Sequence, residues 1–314
     1  EKVFKKHRGK LKLRPKFTGN GDRAFTLPLL DFIFRGFNMD GPILGLWKMD
    51  KDRNYLDASG KIIELDKDGK HVDPSQVKVR DEKHLAIRQA ICHAIDYYAF
   101  NTKFYEGHNV VYDGPIPPSL EAHPEGHTLP NGYTYPNVEK ATALMATAGY
   151  SVAKPFKIDF YTSRGGNNSE QSQLLKEQLA KIGIEINIIL ADFSQLITAI
   201  NSKKATFFSF AWGSDYPDAE NNLQLFYGPN ESPGSNHYNY KNPAFDVLYE
   251  KIREMEPSAE RTKLYEEMRD IVLHDCPTSG SMARQRFYLI SPTLKNFKPD
   301  EVFSNWLKYL DTTE

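Results

Sequence analysis

The pattern of apolar and polar positions is clearest between residues 156 and 212. Residues 156–161, 184–190 and 206–212 read as strands, the last two almost continuously apolar. Between them, residues 169–182 place Leu175, Leu179 and Ile182 on one helical face, and residues 193–202 form a second helix. Strand, helix, strand, helix, strand at this spacing predicts a parallel sheet joined by right-handed crossovers. Strands this apolar suit a sheet covered on both faces.

The flanking chain is less regular. Residues 31–39 predict a strand running into a turn. From Asp81 the period becomes helical, with Ile87, Ile91, Ala94, Ile95 and Tyr98 on one face of a long helix and Gly107 as its stop. Residues 112–136 hold six prolines and predict a long loop. Asn137 can cap a helix carrying Val138, Ala141, Met145 and Ala148 on one side, ended by Gly149. Asp66-Lys67-Asp68-Gly69 between residues 62–65 and 70–72 predicts a β-hairpin, since Asp-Gly accepts the positive φ of a tight turn. Beyond Trp212, Asn242-Pro243 offers an N-cap followed by proline at the first helical position. Phe245, Leu248, Ile252 and Met255 then form one apolar stripe, Leu264, Met268 and Ile271 a second, and residues 284–290 one more strand.

Length and charge narrow the classes. At 314 residues the chain suggests two domains. Forty basic against forty-one acidic residues give a net charge of −1, without the basic excess of a nucleic-acid binder or a polybasic membrane-surface protein. No apolar run reaches the length of a transmembrane helix. Two cysteines, Cys92 and Cys276, make no disulfide framework. The chain begins at Glu1 without methionine or signal peptide, so a trimmed or truncated start is expected.

Candidate chemistry is sparse. His123 and His127, with Glu121 and Glu125, have the spacing of a helical metal site, but Pro124 and Gly126 argue for a surface loop. Asp50, Asp52 and Asn54 imitate the start of a calcium loop whose sixth and twelfth positions are here Tyr55 and Lys61. His93 is expected to be packed rather than catalytic. Gly165-Gly166 before a helix start, with Asn167 beside it, is a weak anion cradle. The segment Trp212-Gly213-Ser214-Asp215 stands out, because the carboxyl ends of parallel strands border ligand crevices. There a Trp can wall a pocket and an Asp can pair with a cation. A packed strand-end Trp with a capping Asp is the equal alternative.

Several segments together resemble the extracytoplasmic solute-binding proteins of peptide ABC transporters, the dipeptide/oligopeptide-binding family 5. They are Gly36-Phe37-Asn38-Met39, Ile87-Arg88-Gln89-Ala90-Ile91-Cys92-His93-Ala94-Ile95-Asp96, Gly114-Pro115-Ile116-Pro117-Pro118, Leu179-Ala180-Lys181-Ile182-Gly183-Ile184, Trp212-Gly213-Ser214-Asp215 and Ser235-Asn236-His237-Tyr238. The resemblance implies an α/β fold: a type II periplasmic-binding-protein lobe with a parallel-rich sheet, plus part of a second lobe. On this reading residues 1–36 end the first half of lobe I, 37–211 are lobe II and 212–314 return into lobe I. Cys92 and Cys276 would then lie in different lobes, too far apart to bond. The helices after residue 240 would lack some of their packing partners. Family members are longer, so the N-terminal half of lobe I is expected to be missing.

The implied function is capture of a peptide in an interlobe cleft and delivery to the permease subunits of an ABC transporter, in the periplasm or on an extracytoplasmic membrane anchor. No enzyme activity, cofactor, metal, nucleic acid or transmembrane segment is implied. Asp215 would hold the ligand's α-ammonium group, beside Trp212, Gly213, Ser214 and Asn167. One departure is Ser209, where oligopeptide binders can carry an arginine. The alternatives are a hydrolase of peptides or glycosides pairing Asp215 with Asp218 or Glu220, and a receptor of the same fold for a nickel chelate, haem or oligosaccharide.

Overall fold

The structure is a computed structural model that describes all residues except 1–3, 8–9, 65–66, 68–78, 125–128, 130–131, 301–305 and 314. The chain opens with β1 (Phe4–His7) paired to β2 (Lys10–Leu13), one turn of helix α1 (Pro15–Thr18), β3 (Arg23–Pro28) and β4 (Asp31–Phe37). There follow α2 (Glu82–Ala94), α3 (Tyr97–Tyr105), β5 (Val110–Tyr112), α4 (Val138–Thr147), β6 (Phe156–Ser163), α5 (Asn168–Ala180), β7 (Ile184–Ala191), α6 (Phe193–Asn201) and β8 (Phe207–Gly213). The remainder is α7 (Glu220–Leu223), α8 (Pro243–Arg253), α9 (Ala259–Asp275), β9 (Thr278–Ala283), β10 (Gln285–Ile290), β11 (Leu294–Lys295) and β12 (Asp311–Thr312). The predicted hairpin around residues 66–69 lies largely outside the described residues.

One six-stranded sheet, in the order β5-β9-β4-β8-β6-β7, organises the molecule. β6 pairs in parallel with β7 and with β8, as the sequence predicts. The other half is antiparallel: β4 lies against β8 and β9, and β5 against β9. The sheet is therefore mixed, and the parallel-rich description holds for its β8-β6-β7 half. The reason is that β4 and β9 come from opposite ends of the chain and enter beside β8 without a crossover helix. Successive strand residues point to opposite faces. Phe193 of α6 stacks on Phe210 (6.1 Å between centroids), whereas the adjacent Ser209 faces α5, so these two helices cover opposite faces.

The long helix expected from residue 81 is two helices. Asp81 accepts from the His84 N–H and starts α2; Ile95 and Asp96 are extended, and Asp96 accepts from the Ala99 N–H and starts α3. Arg88 on α2 is fully buried, and its guanidinium donates to the carbonyls of Leu44 (2.7 Å), Gly45 (3.0 Å), Asp275 (3.0 Å) and Cys276 (3.2 Å). This arginine ties α2 to the loop after β4 and to the end of α9.

The segment after β8 packs into the same core. Tyr238 lies beneath β4 and β8, stacked on Phe226 (4.9 Å) and 5.0 Å from Phe34. Lys203 bridges Asp40 (2.5 Å) and Glu231 (2.8 Å), and Lys241 meets Glu231 (2.9 Å). Phe245, Ile252 and Met268 are fully buried and Leu264 nearly so, which overturns the expectation that their faces lack partners. The sequence boundaries at 36/37 and 211/212 fall inside β4 and β8, and β9 returns to the same sheet. Cys92 and Cys276 are free, buried thiols, as the sequence reading expects, but the reason it gave does not hold: their Sγ atoms sit 3.1 Å apart, where α2 packs against the end of α9. Burial pushes the Cys92 thiol pKa well up.

Candidate functional site

The carboxyl ends of β6 and β8 lie side by side, so the loop leading to α5 and the loop after Gly213 border one edge of the sheet. Across this edge β4 begins, with Asp31 opposite Gly213. Asp31 is buried and held by Arg284 through Nε (2.5 Å) and Nη2 (3.0 Å). The edge is thus fixed by a bidentate ion pair, which adds geometric specificity to its charge.

The predicted residues 212–215 form a short, pinned strip. Trp212 Nε1 donates to Asn221 Oδ1 (2.9 Å), and the Asp215 N–H donates to the same oxygen (3.1 Å). Ser214 donates its N–H to the Leu30 carbonyl (2.9 Å) and its hydroxyl to Asn222 Oδ1 (2.5 Å). Gly213 is exposed at the strand end. Asn221 and Asn222 are buried on α7, so a rigid helix turn orients the strip. The Asp215 carboxylate is exposed and makes no hydrogen bond or ion pair among the described residues. It caps no helix; Trp212 is half-buried against the core. Asn167 stands at the N-terminus of α5, where Oδ1 accepts from Gln171 Nε2 (2.6 Å) instead of capping the helix. It shares the edge with Asp215 but no hydrogen bond joins them.

Asp218 and Glu220, the partners a hydrolase would need, are occupied. Asp218 accepts from Arg261 Nη1 (2.6 Å), the Tyr265 hydroxyl (2.6 Å) and the Glu220 N–H (2.9 Å). Burial raises its pKa, but these donors outweigh it and hold the carboxyl below its ordinary value. Glu220 accepts from the hydroxyls of Tyr216 and Tyr249. Both carboxylates fasten α7 to α8 and α9. His93 is buried edge-on against Tyr133 (4.8 Å), and burial, with Lys140 nearby, pushes its pKa down to about 4. His123 packs against Tyr112, with its Nδ1 2.8 Å from the Ile116 carbonyl; His127 and Glu125 lie outside the described residues. Asp50 closes a turn on Asp52 and Asn54. No group of metal-ligating side chains occurs among the described residues.

The sequence reading missed Arg35, which lies opposite Ser209 across the β4–β8 ladder. It is the single cation of β4, set among Phe32, Ile33, Phe34 and Phe37, and that interruption of the apolar run is the signal that marks it. A cavity of about 660 Å³ lies at the other end of the strands, lined by Ile43, Lys157, Asp159, Lys176, Glu185 and Asn187 among others. Within it Lys157 pairs with Glu185 (3.3 Å) and Asn187 donates to Asp159 (2.8 Å).

An α/β sheet with a pinned polar strip at the carboxyl ends of its strands has the architecture in which ligand crevices lie. Residues 75–234 match the family described as bacterial extracellular solute-binding proteins, family 5 Middle. The chain belongs to this family, which consists of substrate-binding transport proteins. It is 26% identical to heme-binding protein A of Haemophilus influenzae over 219 residues, 68% of this chain and 39% of that protein. To the dipeptide-binding protein of Escherichia coli it is 25% identical over 234 residues, 73% of this chain and 41% of the relative. HbpA2 of Haemophilus parasuis superposes with a TM-score of 0.73 at 17% identity, covering 93% of this chain and 50% of that one. The oligopeptide-binding protein AppA of Bacillus subtilis, solved with a nonapeptide, gives 0.68 at 18% identity, covering 94% and 53%. The chain thus spans about two fifths of the curated relatives' length and half of the solved chains. No helix among the described residues is long and apolar enough to cross a membrane.

Proposed function

We propose that this chain forms one lobe of a receptor that captures peptides in a cleft between lobes and delivers them to the permease of an ABC transporter. The sheet and the helices on it, including residues 212–283, make up this lobe, and the rest of the longer protein supplies the other. The reading rests on one observation. The exposed Asp215 carboxylate is presented at the strand ends by backbone and side-chain bonds to Asn221 and Asn222 on α7, while its own oxygens make no hydrogen bond or ion pair among the described residues. A pre-positioned carboxylate suits a ligand's α-ammonium group, since charge-assisted hydrogen bonds are the strong ones. Trp212 forms the adjoining wall. Closure of the second lobe removes water from the pair.

The test uses the full-length protein and a pool of di- to pentapeptides, offered free and N-acetylated, with retained species read by native mass spectrometry and affinity by calorimetry. Free peptides bind and acetylated ones bind poorly. Asp215→Asn weakens binding by roughly 2–5 kcal/mol, the cost of leaving a desolvated partner charge unpaired. Its thermal stability stays within about 0.5 kcal/mol, as expected for an exposed, unbonded side chain. Binding indifferent to acetylation overturns the amine anchor and favours a solute without a free amine, such as the haem named for the Haemophilus influenzae relative.

A further inference from the structure

Arg35 is 95% shielded from solvent, as its 5% exposure shows, yet its guanidinium makes no hydrogen bond or ion pair among the described residues and its Nε is left without a partner. The rings of Tyr97 (5.0 Å) and Phe100 (4.3 Å) pack against the charge. Cation–π contact recovers only part of what taking an ion out of water costs. A buried cation left in this state is matched to an anion that is not part of the chain.

The cavity it faces supports that conclusion. Arg35 lines it with Thr162, Asn168, Gln171, Ser172 and Ser209, together with Phe160 and Leu175 beneath, and no acidic side chain. It lies at the N-terminus of α5, a helix of 13 residues whose N-cap side chain bonds none of its first N–H groups. Asn168, Gln171 and Ser172 of its first two turns line the same space as the guanidinium, in the part of the helix where the dipole favours an anion. The free volume is about 10 Å³, room for one water-sized group. Ser209, Asn168 and Gln171 are only half-buried, so the cavity opens beside them toward the crevice edge.

We propose that Arg35 and the N-terminus of α5 form an anion site that takes a carboxylate group, one oxygen entering the cavity and the rest of the group at its mouth. The anion is a free carboxylate or the carboxylate of a bound solute. Only the second source rests on the receptor reading given above.

The first test uses the chain as it stands. Thermal unfolding is followed while sodium acetate or sodium chloride replaces a bulky sulfonate buffer anion at constant ionic strength. Acetate raises the midpoint saturably, by about 2 °C at ten times its dissociation constant, and chloride does not. Arg35→Gln abolishes the rise and, without acetate, is at least as stable as the parent because it removes an uncompensated charge. Calorimetric titration of acetate into the unaltered chain gives the same answer should the variant fail to fold. No response to acetate, an equal response in Arg35→Gln, or a response to chloride alone each overturns the proposal. The second test offers the full-length protein the peptide pool as free acids and as C-terminal amides. Amides bind at least tenfold more weakly, and Arg35→Gln no longer distinguishes the two. Peptides that bind without this discrimination overturn the solute-borne source and leave the receptor reading standing. If no peptide binds, the receptor reading fails while the acetate titration still decides the role of Arg35.

Discussion

Asp275 offers the sharpest test of the packing that holds the lobe together. It is the last residue of α9, almost fully buried, and each neighbour that reaches its carboxylate is a donor. Arg80, at the entry to α2, pairs with Oδ1, and the His274 ring nitrogen lies 3.1 Å from the same atom. Oδ2 accepts from the buried Tyr240 hydroxyl (2.6 Å) and from Nδ2 of Asn242 (2.8 Å), the residue that caps α8. One carboxylate thus ties together α2, α8 and α9. In Asp275→Asn one oxygen becomes an amide that faces donors, and the ion pair with Arg80 is lost. Breaking a buried pair by removing one partner costs roughly 3–5 kcal/mol, and the lower end applies here because Arg80 is partly exposed. With ~2.1 cal/mol/K of unfolding entropy per residue over 314 residues, a loss of about 3 kcal/mol lowers the midpoint by about 4–5 °C. The pH dependence has a definite sign. Burial raises the Asp275 pKa, but the bonds from Arg80, Tyr240 and Asn242 outweigh it, so the folded value lies below the ordinary 3.8. A depressed folded pKa contributes stability that is present above the unfolded value and lost as pH falls through the folded one. The gap between parent and variant is therefore full at pH 5 and above and narrows only below about pH 4. Urea unfolding of both proteins between pH 3 and 7 reads it. A gap under about 1 kcal/mol at pH 7, or one that closes near pH 6, refutes the assignment.

Two further outcomes test the architecture. Gly280 has φ +57°, and a Cβ there would stand 1.8 Å from the Tyr97 ring, itself held by a 2.6 Å bond to the Ser279 carbonyl; Gly280→Ala should cost about 3 kcal/mol or more in urea unfolding, against about 1 kcal/mol for Gly60→Ala, which has open space around it. Equal losses at the two positions would show that β9 does not pack against α3 as described. Because α8 and α9 are buried in the same core as the sheet, amide exchange in residues 243–275 should open with a free energy similar to that of residues 156–213; opening several kcal/mol easier would mean that they form a separate, weaker unit.

The parallel half of the sheet was legible because each crossover helix prints a 3.6-residue stripe between two apolar runs, so both period and spacing are local. β9 was illegible for the opposite reason. Thr278-Ser279-Gly280-Ser281 carries no apolar alternation, and its place in the sheet is decided by β4 and β5, more than 160 residues earlier in the chain. Without β9 in view, the sequence could not show that the chain returns to this sheet after α9, nor that Cys92 and Cys276 come together. The break between α2 and α3 hid in a similar way. Asp96 is a good N-cap, but no proline or glycine stands there, and the apolar face continues on both sides.

At the crevice, chemistry was easier to read than support. Trp212 and Asp215 could be singled out because an indole and a carboxylate at the end of an apolar strand lie where the topology leaves a gap. Asn221 and Asn222, which orient them, sit in a stretch already rich in Asn, where composition says loop and nothing marks two of its residues as buried. Arg35 shows the converse. A lone cation among Phe32, Ile33, Phe34 and Phe37 is costly wherever the strand goes, so the residue announces that something must compensate it, but a sequence cannot say what. Only the structure reveals that no acidic side chain lines the cavity it faces and that the start of α5 adds a second positive end there. If the crevice holds an ammonium group at Asp215 and a carboxylate at Arg35, then the two ends of a zwitterionic solute are read by a residue on β4 and by one just beyond the end of its partner strand β8. The β4–β8 register and the bonds of Asn221 to Trp212 and Asp215 then set the spacing between the two anchors together.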